Sequence, residues 1–233
     1  MSTISERLTE VRARIDAAAR SAGREPTSVK LVAVSKTFPI DAVRDAYAAG
    51  HRDFGENRVQ EALQKIADAG DLTIRWHLLG HLQANKVRKA APAFAMIQSV
   101  DSLDLLQKLD QVAEESGHSP ELLIQVDLAL EPTKFGAPEA EIPRLLESAA
   151  SCRVVRVVGL MTLPPVPDTP EDARPWFRRL RELRDQWLAS GVPATMLREL
   201  SMGMSGDFEV AVQEGATLVR VGTAIFGSRH VQR

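Results

Sequence analysis

Short apolar runs alternate with longer amphipathic stretches along nearly the whole chain. Apolar and small residues gather at 31–35, 74–78, 95–98, 122–127, 154–160, 197–201 and 218–221, with a weaker run at 52–54. Runs of this length, rich in β-branched residues and bounded by polar or glycine positions, read as strands. Between them apolar residues recur every three or four positions over 40–49, 58–69, 83–90, 103–116, 140–150, 171–189 and 208–214, which predicts helices. Ile4, Leu8, Val11 and Ile15 share that spacing and predict one more helix at the start. Thr169-Pro170-Glu171-Asp172 has the order of a helix start: a capping threonine, proline in the first turn and acids beside it. Gly50, Gly70, Gly117 and Gly191 fall where helices need to stop.

Strict alternation of strand and helix implies a parallel sheet. Eight such units predict an α/β fold of one kind, a single (β/α)8 TIM barrel with an extra N-terminal helix, spanning residues 1–233 as one domain. A doubly wound open sheet is the competing arrangement. The barrel carries a geometric expectation, since its chemistry sits just after the strands. Those positions are Lys36, then Gly55-Glu56-Asn57-Arg58, Gly80-His81, Ser99 with Asp101, Lys134 in EPTKFG, Met161-Thr162, SMGMSG at 201–206, and Gly222-Thr223. Polar residues and glycines thus converge on one rim.

Composition narrows the classes of function. The 233 residues are 44% hydrophobic and 26% charged, with 29 basic against 31 acidic side chains and a net charge of -2. A near-neutral balance does not point to nucleic acid or a membrane surface. The N-terminal stretch lacks the apolar core of a signal peptide, no run approaches the length of a membrane span, and a cytoplasmic compartment is expected. Cys152 is the single cysteine. It opens an apolar run and is expected to be buried and inert.

The run LVAVSKTFPI ends an apolar strand on a lysine. Lysine is among the residues least often buried. Lys36 either ends the strand in solvent or faces the barrel mouth for chemistry, where partial desolvation frees its amine to attack an aldehyde. The last two strands are followed by SMGMSGDF and VGTAIFG. Glycines there let backbone N–H groups approach an anion, and loops at this end of such barrels hold phosphates. Lysine and phosphate cradle together suggest a phosphorylated aldehyde, with pyridoxal phosphate the leading candidate. His77 and His81 have the spacing of some metal ligands, but no third and fourth ligand accompanies them, so no metal is expected. Asn85-Lys86-Val87-Arg88-Lys89 reads as a solvated helix face.

The strings LVAVSKTFP, AYAAGHRDFGENRVQEAL, WHLLGHLQANK, GLMTLPP and LSMGMSGDFEVAVQEGATLVRVGTAIFG resemble the pyridoxal phosphate homeostasis proteins, also known as the alanine-racemase N-terminal-domain-like or proline synthetase co-transcribed family. The resemblance implies the same barrel, with pyridoxal phosphate held on Lys36 as an internal aldimine. It implies Asn57 beside the cofactor ring, and Ser201, Gly222 and Thr223 at the phosphate with Met202 and Ser205 close by. Arg220 would approach the pyridine nitrogen. Lys134 resembles a family lysine that is a second contact point for incoming cofactor. Alanine racemases carry a further β-rich domain that supplies a catalytic tyrosine. This sequence ends at Arg233 and contains one tyrosine, Tyr47, expected on the first barrel helix and away from the rim. The expectation is therefore a monomeric, non-catalytic carrier acting in vitamin B6 and amino-acid homeostasis and serving apo-enzymes. A weak amino-acid racemase, or a Schiff-base aldolase using Lys36 on a sugar phosphate, are the alternatives.

Overall fold

The computed structural model describes residues 2–130 and 135–228. In chain order the elements are α1 (Ile4–Ser21), β1 (Lys30–Val34), α2 (Ile40–Ala48), β2 (Asp53–Glu56), α3 (Val59–Ala69), β3 (Arg75–Leu78), α4 (Val87–Ala90), β4 (Met96–Val100), α5 (Leu103–Ser116), β5 (Glu121–Asp127), β6 (Ala137–Pro138), α6 (Ile142–Ala150), β7 (Arg156–Met161), α7 (Arg174–Ala189), β8 (Glu199–Ser201), α8 (Phe208–Gln213), β9 (Leu218–Val221) and α9 (Thr223–Phe226). Strands β1, β2, β3, β4, β5, β7, β8 and β9 pair in that order, all parallel, and β9 pairs back with β1. The sheet is a closed (β/α)8 barrel, not the open alternative. The two-residue β6 pairs with the end of β5 outside the barrel circuit.

Alternation along each strand divides two cores. Leu31, Ala33, Leu122, Ile124, Val219 and Val221 face outward and pack with the helices in one large cluster. Val32, Met96, Leu123, Val158, Met161 and Leu218 face inward and form a small apolar plug inside the barrel. Fully burying a side chain of this kind is favourable by about 1.5–3 kcal/mol. Helix α1 adds no strand partner. It buries Leu8, Val11, Ile15 and Ala19 against α2, α8 and α9, and its first turn is closed by a Thr3–Glu6 capping box.

Three boundaries depart from the periodicity. Strand β2 runs through Gly55 and Glu56, which the sequence assigns to a loop, because Gly55 registers with Val34 of β1 and His77 of β3, and Glu56 with Leu78 of β3. The helix expected over 83–90 is a 3-10 turn, Ala84–Lys86, followed by the single turn of α4. The helix expected from 171 starts with a 3-10 turn, Pro170–Ala173, where Thr169 and Asp172 make the anticipated capping box.

Candidate functional site

A cavity of about 400 Å³ opens at the C-terminal ends of the strands. It brings together Lys36 after β1, Asn57 after β2, Ser205 after β8, Arg220 near the end of β9, and Gly222 and Thr223 just beyond it. Val34, Phe38, Leu79 and Leu163 give it apolar walls. Phe38 also rests against Phe226, ring centroids 5.3 Å apart, which ties the β1 loop to α9.

At one end backbone amides converge. The Ser205 hydroxyl accepts from the N–H groups of Gly222 at 3.1 Å and Ala224 at 3.5 Å. A Cβ on Gly222 would lie 3.2 Å from the carbonyl oxygen of Val34, so the close approach of β9 to β1 favours glycine there. Asp207 is buried and accepts the Met204 N–H at 2.5 Å, which fixes the SMGMSGD turn. Burial raises the Asp207 carboxyl above its usual range, against the opposing pull of that N–H and of Arg220.

Arg220 lies at the cavity floor and is 3% exposed. Its guanidinium donates to Ser201 Oγ at 2.6 Å and to the Thr162 carbonyl at 2.8 Å. Burial lowers its pKa to about 10, with Asp207 opposing, so it stays cationic at neutral pH. An arginine in this position can only donate hydrogen bonds.

Ser201 and Met202 do not line the cavity. Ser201 ends β8 with its hydroxyl turned into the barrel, where it accepts from Arg220 and donates to Gln98 at 2.6 Å. Met202 is fully buried in the outer core, and its amide donates to the Leu218 carbonyl. They support the floor and the turn from behind.

Lys36 is flanked by a buried ionic cluster that the sequence does not announce. Lys65 on α3 is 6% exposed and donates to the Ser35 carbonyl, to Glu56 Oε1 and to Glu61 Oε1, at 2.7, 2.7 and 2.9 Å. Glu56 Oε1 also accepts from the Ser35 hydroxyl at 2.6 Å, while Glu56 Oε2 is buried with no hydrogen-bond partner among the described residues. Glu61 accepts the Thr37 N–H at 2.5 Å. Thr37 has a φ of 69°, a left-handed conformation uncommon outside glycine. Both neighbours of Lys36 are thereby pinned. Burial raises the Glu56 carboxyl, offset in part by Lys65 and Ser35. For Glu61 burial is outweighed by the Lys65 and Thr37 hydrogen bonds, and its pKa is lowered.

The remaining candidates scatter. His77 points into the barrel, whereas His81 sits on the rim, stacked on Phe135 at 3.8 Å with Asp101 at 3.2 Å. No cluster able to hold a metal occurs among the described residues. Tyr47 lies under the Arg52 guanidinium, which precedes β2, so it belongs to the opposite end of the barrel. Cys152 is half-buried, and burial pushes its thiol up to about 11. Lys134 lies outside the described residues. Lys65 and Gln98 escape a reading of the sequence, and Glu56, although placed at a strand end, is not read as buried. For Gln98 the one signal is a polar residue inside an apolar run, MIQSV.

The model of the alanine racemase N-terminal domain matches residues 7–230. The pyridoxal phosphate homeostasis protein of Aquifex aeolicus is 43% identical, over 96% of this chain and 97% of that one. Its counterpart from Pseudomonas aeruginosa is 44% identical, over 98% and 97%. The structure of PipY from Synechococcus elongatus with pyridoxal phosphate bound is 44% identical and superposes with a TM-score of 0.82, covering 97% of this chain and all of that one. With near-complete coverage in both directions, the chain belongs to the pyridoxal phosphate homeostasis proteins, within the larger group built on the alanine racemase N-terminal domain.

Proposed function

We propose that this protein holds pyridoxal phosphate reversibly as a Schiff base on Lys36 and acts in the intracellular homeostasis of vitamin B6 and amino acids. One observation carries the reading: a single cavity gathers a rim lysine, convergent backbone amides and a buried arginine that can only donate. The set fits the group. Ser205, Gly222 and Thr223 suit its phosphate, Asn57 and the apolar walls its ring, and Arg220 its ring nitrogen, with Ser201 and Met202 behind them. When bound, the cofactor supplies a reactive aldehyde and an electron-accepting ring. The Lys36 amine would attack the aldehyde carbon, a C=N bond replacing C=O as water leaves. A cationic donor facing the ring nitrogen keeps that nitrogen unprotonated, and so weakens the ring as an electron sink.

The placement of Tyr47 at the far end of the barrel supports a carrier over a racemase, since a two-base racemase needs a second acid–base group on the opposite face of the ring. Relatives carrying a homeostasis name, rather than that of an enzyme, weigh the same way. We read residues 1–233 as one such domain, monomeric and cytoplasmic, passing cofactor to apo-enzymes. No helix among the described residues is long and apolar enough to cross a membrane.

The test is the visible spectrum of the purified protein, with and without added pyridoxal phosphate, beside Lys36→Ala. The expected outcome is a yellow band that borohydride abolishes, a pyridoxyl adduct mapped to Lys36, and neither in the variant. A protein that stays colourless would sink the reading and revive the aldolase alternative. Loss of chirality, or deuterium uptake at Cα, on incubation with single-enantiomer amino acids would revive the racemase.

A further inference from the structure

Five polar side chains from five strands form one continuous hydrogen-bonded chain through the barrel interior. Arg220 Nη1 donates to Ser201 Oγ at 2.6 Å, and Ser201 Oγ meets Gln98 Oε1 at 2.6 Å. Gln98 Nε2 lies 3.1 Å from His77 Nδ1, and His77 Nε2 lies 3.0 Å from Asp53 Oδ1. Four of the five are almost wholly buried, and Asp53 opens toward the far mouth beside Arg75. Leu218 and Met96, two residues before Arg220 and Gln98, belong to the inner apolar plug, which places the chain across the lumen among them.

The chain has one polarity, and Arg220 sets it. A guanidinium has no acceptor, so Ser201 must accept from it and spend its single proton on Gln98 Oε1. The amide orientation follows, with Nε2 toward His77. His77 Nδ1 must then accept, which leaves its proton on Nε2, donated to Asp53. Burial works against the Asp53 carboxylate, but the His77 hydrogen bond and Arg75 outweigh it and hold its pKa below the usual range. A buried polar group left unpaired is costly, so no link can turn over without disturbing the next.

We infer that Ser201, Gln98 and His77 are positioning residues that lock the Arg220 guanidinium in the orientation it presents to the cofactor ring nitrogen. The inference rests on the functional reading above and deepens it. It removes Ser201 from phosphate binding and gives it a different task. It also assigns a role to two polar residues, 98 and 77, that lie outside the cavity.

The test uses the full chain and three proteins: wild type, Gln98→Met, which keeps volume but removes both hydrogen-bonding functions, and Val158→Ala, which perturbs the same inner apolar plug with a side chain that makes no hydrogen bond to the chain. In the unliganded wild type, nitrogen NMR of His77 should show the Nε2–H tautomer. In Gln98→Met that preference should relax. With pyridoxal phosphate added, Gln98→Met should still yield the borohydride adduct on Lys36, but its visible band should move in wavelength and in pH midpoint, and cofactor release should accelerate several-fold. Val158→Ala should lower the melting temperature without either spectral change. A His77 that carries its proton on Nδ1, or a Gln98→Met spectrum that matches wild type while only stability falls, would overturn the inference. A wild type that forms no adduct sinks the functional reading and the positioning role with it, while the tautomer still decides whether the chain exists.

Discussion

A lysine side chain with four rotatable bonds reaches a defined carbonyl carbon only if its backbone is fixed, and at Lys36 both neighbours are fixed. Lys65 holds the Ser35 carbonyl, and Glu61 holds the Thr37 amide in its left-handed conformation. The two acids differ in what disturbing them would do. Glu56 is wholly buried, so Lys65→Met would strand its carboxylate and should cost about 3–5 kcal/mol, enough to threaten folding. Glu61 is partly exposed, and Glu61→Ala should cost only about 1–2 kcal/mol. Its main effect should be on function, with slower trapping of pyridoxal phosphate by Lys36 in a borohydride time course, and Glu61→Gln recovering part of the rate through its carbonyl. Equal trapping rates in wild type and Glu61→Ala would show that the Thr37 contact does not position the lysine. Lys36 itself was legible in the sequence because a lysine ending an apolar strand is anomalous. The pair that holds it was not, because Glu61 and Lys65 at helical spacing look like any surface ion pair.

Strand ends were legible for the same reason that single residues were. The rule that chemistry follows the strands of a barrel placed Lys36, Asn57, Ser205, Gly222 and Thr223 on one rim, and they share one cavity with Arg220, which the family resemblance supplied. It failed for Ser201, which shares a strand end with true lining residues but points inward to a partner 103 positions away. Such partners are set by closure of the barrel, and no local spacing encodes them. The turn from β8 into α8 shows the complementary case, where a local signal does suffice. Gly203 has a φ of 93°, and a Cβ there would fall 2.5 Å from the Ala211 Cβ and 3.0 Å from the Phe208 Cα. Gly203→Ala combines backbone strain with overpacking and should destabilise by about 2–5 kcal/mol. At Gly206 in the same turn a Cβ would meet nothing within 4 Å, so Gly206→Ala should melt close to wild type. Urea titrations of the two variants check this, and similar losses in both would mean that the turn is strained as a unit rather than at one residue.

At the scale of the whole molecule, the barrel has a chemical end and a closing end, and the closing end carries its own pH dependence. His51, just before β2, is 5% exposed. Its Nδ1 lies 3.2 Å from Arg12 of α1, and its Nε2 lies 2.8 Å from the Asp53 carbonyl, so the neutral ring accepts from one and donates to the other. Burial, with Arg12 adding to it against the Asp53 carbonyl, lowers the imidazole pKa to about 4. The unfolded chain protonates His51 near its ordinary value of about 6.5. Between those values the unfolded state binds a proton that the folded state refuses, so stability is full above about pH 6.5, falls as the pH drops, and levels below about 4. The shift corresponds to about 3 kcal/mol over that window. His51→Gln supplies an acceptor for Arg12 and a donor for the carbonyl but does not titrate. Urea unfolding at a series of pH values should therefore show a steep acid loss in wild type and a much flatter one in the variant until the carboxylates begin to protonate. Parallel curves would mean that the ring opens to solvent and charges in the folded state. The link that α1 makes to the closing end through Arg12 would then have to survive a cation facing a cation.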